Sequence, residues 1–226
     1  APTTAPTLAP PQPRGGSEAA AAGGAPAVVG VAVRLPGGAD CARTLWSLLT
    51  ECPDTRAPLR ADRLIGAEFA EKIAESSPIY ATMAHVLSDF GAFDAAVFGI
   101  SRAEAAETDP QQRLLLEGAL DASSAAGWAH APGSDAAQLD HEATTTTGVF
   151  IGLGNNDWAH VHCACASAAP SVHALAGTSG SMAARRVAYH LHLDGPAAVT
   201  DTACSSAAVA VDLAGLALAD GRCDRA

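Results

Sequence analysis

Cys204 stands in Asp201-Thr202-Ala203-Cys204-Ser205-Ser206, where a short apolar run gives way to a stretch of small apolar residues. Gly195 to Thr200 (GPAAVT) reads as a turn followed by a short buried strand. Ser206 to Ala219 carries Val209, Val211, Leu213, Leu216 and Leu218 with few charges, and reads as a buried helix. A thiol at the start of such a helix lies among unpaired backbone N–H groups and the positive end of the helix dipole, both of which favour the thiolate. An ordinary thiol, with a pKa of about 8.5, is only roughly a few per cent ionised near neutrality, so small electrostatic help changes its reactivity. The chemistry expected of Cys204 is nucleophilic attack. The plainer alternative is a small buried thiol that packs well, as unpaired cysteines often do.

A second group of residues could do different chemistry. His160-Val161-His162-Cys163-Ala164-Cys165 places four possible zinc ligands within six residues. On a strand the two histidines face one side and the two cysteines the other, so one tetrahedron does not collect them; a surface segment is the expected reading and no metal is assigned. The six cysteines are thinly spread over 226 residues, too long a chain to need stapling, and no disulfide framework or cofactor is expected.

The elements that must position Cys204 are legible from their caps and turns. In Asp109-Pro110-Gln111-Gln112-Arg113, Asp109 is a good N-cap and Pro110 suits the first helical position, after which Leu114, Leu115 and Leu116 enter the core. This block reads as a helix start and packing unit, without a place in the chemistry. Arg34-Leu35-Pro36-Gly37-Gly38 reads as a turn after a Val28 to Val33 strand. Asp201 suits a cap or turn, while Thr202, Ser205 and Ser206 read as turn and packing residues.

Composition bounds the function classes. A hydrophobic fraction of 49% belongs to a chain with a core to bury, whereas the aromatic fraction of 4% leaves alanine and glycine to fill it by close helix packing. A formal charge of −11 argues against a general affinity for nucleic acid or an anionic membrane. No apolar run is long enough for a membrane span. Residues 1–26, with Pro2, Pro6, Pro10, Pro11, Pro13 and Pro26 among Ala, Thr and Gly, read as a disordered linker ahead of a domain at 27–226. No secretory signal precedes it, so a cytoplasmic or plastid location is expected over secretion.

The motif DTACSSAAVAVDLA around Cys204 closely resembles the nucleophile motif of the β-ketoacyl synthases. Val28 to Leu49, Phe93 to Glu117, Gly148 to Gly152 and Gly177 to Pro196 resemble further blocks of that family in the same order, so the resemblance covers about 27 to 226. It implies an α/β, thiolase-like fold, of which this chain supplies the N-terminal half as a mixed sheet between helices. Some positions depart from the family pattern. Arg185-Arg186 replaces Gly-Arg, Ala207-Ala208 replaces Ser-Leu, Arg56 to Asp89 matches loosely, and Thr144 to Thr147 lie in a low-complexity insertion after Gly133.

The resemblance also implies an activity and partners. A decarboxylative Claisen condensation would load an acyl group onto Cys204 and then join it to a malonyl-type extender held on the phosphopantetheine of an acyl carrier protein. The family's two catalytic histidines belong to second-half motifs that these residues do not contain; His173, the nearest match, lies before the cysteine and is read as coincidence. Cys204 is thus the single site residue assigned, and condensation by this chain unaided is not expected. The missing second half, a carrier protein and a second copy are the expected partners, and without them an exposed apolar face would make the chain associate. Arg185, Arg186, Arg222 and Arg225 are candidates for docking the acidic carrier. A non-catalytic scaffold descended from a condensing enzyme is the alternative function, and a thiolase acting on coenzyme A esters ranks below both. The pattern leans towards a modular polyketide synthase.

Overall fold

The computed structural model describes residues 25–58, 83–128, 145–160 and 172–226. Nearly all of the expected linker, most of the loosely matching 56–89 segment and the metal-like cluster beyond His160 lie outside these residues.

A turn opens the described chain. Gly37 and Gly38 have φ of 85° and 78°, values that side chains other than glycine rarely adopt, and Leu35 N–H donates to the Ala39 carbonyl at 2.9 Å to close the reversal. Helix α1 (Ala42–Glu51) follows, its Thr44 hydroxyl accepting from the Cys41 N–H as part of a capping box. A minimal antiparallel pair, β1 (Ala57–Pro58) and β2 (Met83–Ala84), comes next. Helices α2 (Arg102–Glu107) and α3 (Pro110–Ala125) are each started by a side-chain cap: Ser101 accepts from the Glu104 N–H, and Asp109 from the Gln111 N–H. Pro110 occupies the first turn of α3 as its sequence predicts.

The site rests on two parallel strands, β3 (Val149–Gly152) and β4 (Ala197–Thr200), paired from Val149–Ala197 to Gly152–Thr200. Between them in sequence lie α4 (Ala174–Thr178) and α5 (Ala183–His190); α6 (Ser206–Ala219) follows β4. Ile151 joins Phe98, Ile100, Leu116, Ala183, Ala184, Val187 and Leu191 in the core, with Val149 and Val199 packed against it. Phe93 and Phe98 stack at 5.5 Å on the same cluster. Strand alternation turns Gly152 the other way, where a Cβ would collide with the backbone of Ser206 and Ala207. Helices therefore cover both sheet faces, α5 with α3 behind it on one and α6 on the other, which is the α/β layering expected.

Several sequence expectations need correction. Val28 to Val33 forms no strand among the described residues, and Val28 is 84% exposed: without a neighbouring strand its backbone has no ladder to join. β4 is half-buried along its length, and among the described residues one paired neighbour covers one of its edges. Helix α6 has the predicted bounds but buries only the stripe Ser206, Ala210 and Ala217; Val211 is 73% exposed. Its small residues let it lie close to the sheet, while Val211 and Leu216 turn outward and Val209, Leu213 and Leu218 are partly buried. Of Leu114, Leu115 and Leu116 on α3 only Leu116 is fully buried, since one helix face meets the core. Thr146 and Thr147, read as part of an insertion, are tied to the last residues: Asp224 and Arg225 N–H groups donate to the Thr146 carbonyl, and Thr147 bridges Arg225.

Candidate functional site

β4 ends at Thr200 and α6 begins at Ser206, leaving five residues to reverse from strand to helix. The reversal is built from the side chains that the sequence concentrates there. Asp201 Oδ1 accepts from the Ala203 N–H at 3.0 Å, an Asx-type turn. Thr202 N–H donates to Ser206 Oγ at 2.8 Å, and that hydroxyl donates to the Ala203 carbonyl at 2.7 Å. Ser205 Oγ donates back to the Thr202 carbonyl at 2.8 Å and lies in hydrogen-bond contact with the Thr202 hydroxyl at 2.9 Å. Asp201, Thr202, Ser205 and Ser206 are thus the turn residues their types predict.

The turn contains a conformation that sequence reading missed. Ala203 has φ +54°, the left-handed region, which costs a non-glycine residue roughly 1–2 kcal/mol. No pattern of residue types signals it, because alanine is the expected occupant of ordinary helix. The left-handed residue turns the chain so that Cys204, in the helical turn Ala203–Ser205, is presented outward from the end of the sheet. Cys204 is exposed, and its thiol makes no hydrogen bond among the described residues. Its backbone N–H likewise meets no acceptor among them, whereas the Ser205 and Ser206 N–H groups are taken by Thr202 and Ala203. An exposed thiol beside a free N–H, at the N-terminal end of a helix of 14 residues, is an arrangement suited to attack on a carbonyl and to holding the oxygen that becomes negative.

The floor of the site is the end of β3. Leu153 N–H donates to the Thr200 carbonyl at 3.0 Å, extending the ladder to the base of the turn. Thr200 Oγ1 donates to the Ser206 carbonyl at 3.2 Å, and only glycine fits at 152 beneath Ser206 and Ala207. Strand, turn and helix are therefore locked by close backbone approach at Gly152 and by the Thr200 and Ser206 hydroxyls.

The remaining candidates are distributed differently from expectation. Arg186 is 7% exposed, its Nε donating to Gln112 Oε1 at 2.7 Å and its Nη1 pairing with Glu104 at 2.6 Å, so it is a core residue and not a docking cation. Arg185 on the same helix is exposed, which lets the family-atypical cation sit in water without disturbing packing. Arg222 pairs with Asp220 at 3.5 Å, and Arg225 lies over the Trp128 ring at 5.0 Å. His173 stands at the N-terminal boundary of α4. Of the metal-like cluster only His160 lies within the described residues, which hold no group of three or more potential ligands. No described helix is long and apolar enough to cross a membrane.

Two cysteines away from the site have shifted acidities. Hydrogen bonds from Thr44 lower the pKa of Cys41, and burial raises that of Cys223. Burial is also the main cause that raises the Asp109 carboxyl, against the hydrogen bonds from Gln111.

The family model described as β-ketoacyl synthase, N-terminal domain, matches residues 26–226. Fumosorinone synthetase of Cordyceps fumosorosea (strain ARSEF 2679) is 40% identical over 203 residues, which are 88% of this chain and 5% of that protein. The pikromycin polyketide synthase component PikAII of Streptomyces venezuelae is 40% identical over 211 residues, 92% of this chain and 5% of that one. Among solved structures, the oxazolomycin ketosynthase domain OzmH KS7 of Streptomyces albus JA3453 superposes with a TM-score of 0.64 at 30% identity, covering 87% of this chain and 33% of that chain. The ketosynthase from module 6 of the bacillaene synthase of Bacillus subtilis 168 gives 0.64 at 27% identity, covering 87% and 30%. The chain thus spans a small fraction of the curated relatives and about a third of the solved ketosynthase chains.

Proposed function

From a chain that belongs to the β-ketoacyl synthase family, as its N-terminal domain with the thiolase-like α/β fold, we propose that Cys204 is the acyl-accepting nucleophile of a polyketide-synthase ketosynthase. The observation that carries this reading is the turn itself: an exposed thiol stands at a helix start directly after a left-handed, non-glycine residue.

The Cys204 thiolate attacks the carbonyl carbon of an acyl thioester carried on phosphopantetheine. The C–S bond to the enzyme forms as the carbonyl π electrons move to oxygen. The oxyanion is held by the Cys204 N–H at the end of the helix dipole. Collapse expels the carrier thiolate, which takes up a proton, and leaves the acyl group on Cys204. Ala207 and Ala208, on the first turn of α6, leave the helix start uncrowded. In the parent protein a malonyl-type extender then loses carbon dioxide, and its enolate attacks the acyl-Cys204 carbonyl to give a β-ketoacyl product on the carrier, with Cys204 leaving as thiolate. That second stage uses the two histidines that the family carries in motifs outside these residues, so this chain contributes the loading stage. An acyl carrier protein, the remainder of the ketosynthase domain and a second copy are the partners of this reading.

Trapping tests it. The chain is treated with an acyl-chain chloromethyl ketone at substoichiometric amounts, and the labelled peptides are read by mass spectrometry. Selective labelling at Cys204, lost in Cys204→Ala, is expected. Labelling spread over all six cysteines in proportion to exposure would replace this reading with that of a non-catalytic scaffold.

A further inference from the structure

The Asp109 to Arg113 block does more than start α3, because its two glutamines face different neighbours. Gln112, 1% exposed, donates to the Gly177 and Ser179 carbonyls at 3.2 and 3.0 Å and accepts from Arg186, so it ties α3 to the α4–α5 segment. Gln111 reaches the other way. Its Nε2 donates to the Asn155 carbonyl at 3.0 Å and to the Asp109 carboxylate at 3.3 Å. Nearby, the Trp158 indole N–H donates to the Glu107 carbonyl at 2.9 Å. The strap 153–158 is therefore held in its middle and at its far end by the α2–α3 junction. Its near end lies on the cysteine turn: Leu153 is bonded to Thr200, and a Cβ on Gly154 would stand 3.3 Å from the Ala203 carbonyl oxygen. Ala203 immediately precedes Cys204.

We propose that Gln111 is a positioning residue, which by holding the Asn155 carbonyl sets the path of strap 153–158 beside Ala203 and so the setting in which Cys204 accepts an acyl group. This inference rests on Cys204 being the nucleophile. A neutral amide is the group the position requires, since both hydrogens of Nε2 are used, one on a carboxylate and one on a carbonyl. A carboxylate there would face two acceptors. Methionine would keep the length and lose both bonds.

The experiment compares two reactions of the same thiol in the full chain: acyl transfer from an acyl-N-acetylcysteamine thioester, and alkylation by iodoacetamide, which asks nothing of the surrounding geometry. Gln111→Met is expected to lower the acyl-transfer rate about fivefold at saturating thioester, the worth of one hydrogen bond of ordinary net strength, while alkylation and melting temperature stay near wild type. Gln111→Glu is expected to fall further at pH 7.5. Relative to wild type it recovers as the pH is lowered towards 5, where a protonated carboxyl regains a donor; a merely structural role gives no such profile. Trp158→Phe, which keeps the ring and removes the other anchor, moves acyl transfer in the same direction. Equal acyl transfer in Gln111→Met and wild type would overturn the inference, as would a loss matched by equal losses in alkylation and melting temperature. Should Gln111→Met fail to fold, the pH profile of Gln111→Glu decides. A wild-type chain whose Cys204 is alkylated but never acylated removes the nucleophile reading itself, an outcome distinct from the failure of Gln111 alone.

Discussion

Arg186→Met is the most informative single change to the framework. Arg186 is 7% exposed and serves two acceptors: Gln112 Oε1 at 2.7 Å, in a side chain 1% exposed, and Glu104 at 2.6 Å, whose side chain keeps 26% of its exposure. Removing the guanidinium leaves the Gln112 oxygen buried without a donor, which costs about 1–3 kcal/mol. Glu104 loses a charge-assisted bond but retains water, so its share belongs at the low end, about 1 kcal/mol. The sum is about 3 kcal/mol, below the roughly 3–5 kcal/mol seen when a wholly buried pair loses one partner. For a chain of 226 residues each kcal/mol moves the melting temperature by about 2–4 °C, so the expected fall is about 6–12 °C. Urea unfolding of wild type, Arg186→Met, Gln112→Leu and the double variant forms a cycle whose coupling is expected at about 1–2 kcal/mol. Arg185→Ala, in water on the same helix, is expected within about 0.5 kcal/mol of wild type. A cost for Arg186→Met below about 1 kcal/mol, or zero coupling to Gln112, would refute the view that this network joins α2, α3 and α5.

Ala203→Gly relieves the left-handed strain at φ +54° and is expected to hold or raise stability by up to about 1 kcal/mol while slowing acyl transfer to Cys204, measured by urea unfolding and loading rate; a gain in both would show that the strain has no bearing on the thiol. For Asp109, burial raises the folded carboxyl above its ordinary value of 3.8, so its contribution to stability is fullest below that pH and is lost as pH rises through the folded value. Asp109→Asn keeps the cap acceptor and removes the titration; the drop in unfolding free energy from pH 4 to pH 7 is expected to shrink, and an unchanged pH dependence would contradict the assignment. Cys41, lowered by Thr44, is expected to alkylate at lower pH than an unperturbed thiol and to lose that advantage in Thr44→Val, while buried Cys223 reacts slowly; mass-spectrometric rates read both.

What was legible in the sequence was written in local chemistry. Asp109-Pro110 announces a helix start because a short acceptor side chain and a fixed φ act within one turn. Arg34 to Gly38 announces its turn because glycine serves readily at two successive left-handed positions. The bounds of α6 and its place after β4 followed from composition alone. Burial was not local and was misread: Val211 and Leu216 look like core by type, yet the helix has only one face to give to two strands. Val28 to Val33 has the residues of a strand but pairs with no edge among the described residues, and side-chain type does not decide pairing.

The two adjacent arginines show why the site was only half readable. Arg185 and Arg186 are identical in type, and sequence placed both among possible docking cations. One helical step, about 100° around the axis, puts the first in water and the second against Gln112. The same rotation logic separates Gln111 from Gln112: one faces the strap beside Cys204 and the other the α4–α5 segment. A block read as packing alone thus carries two attachments of opposite direction, one of them to the strap that passes beside Ala203. The turn that carries Cys204 was legible because its neighbours in sequence are its neighbours in space. The residues that steady it were not, because Gln111 and Asn155 are brought together only by the fold.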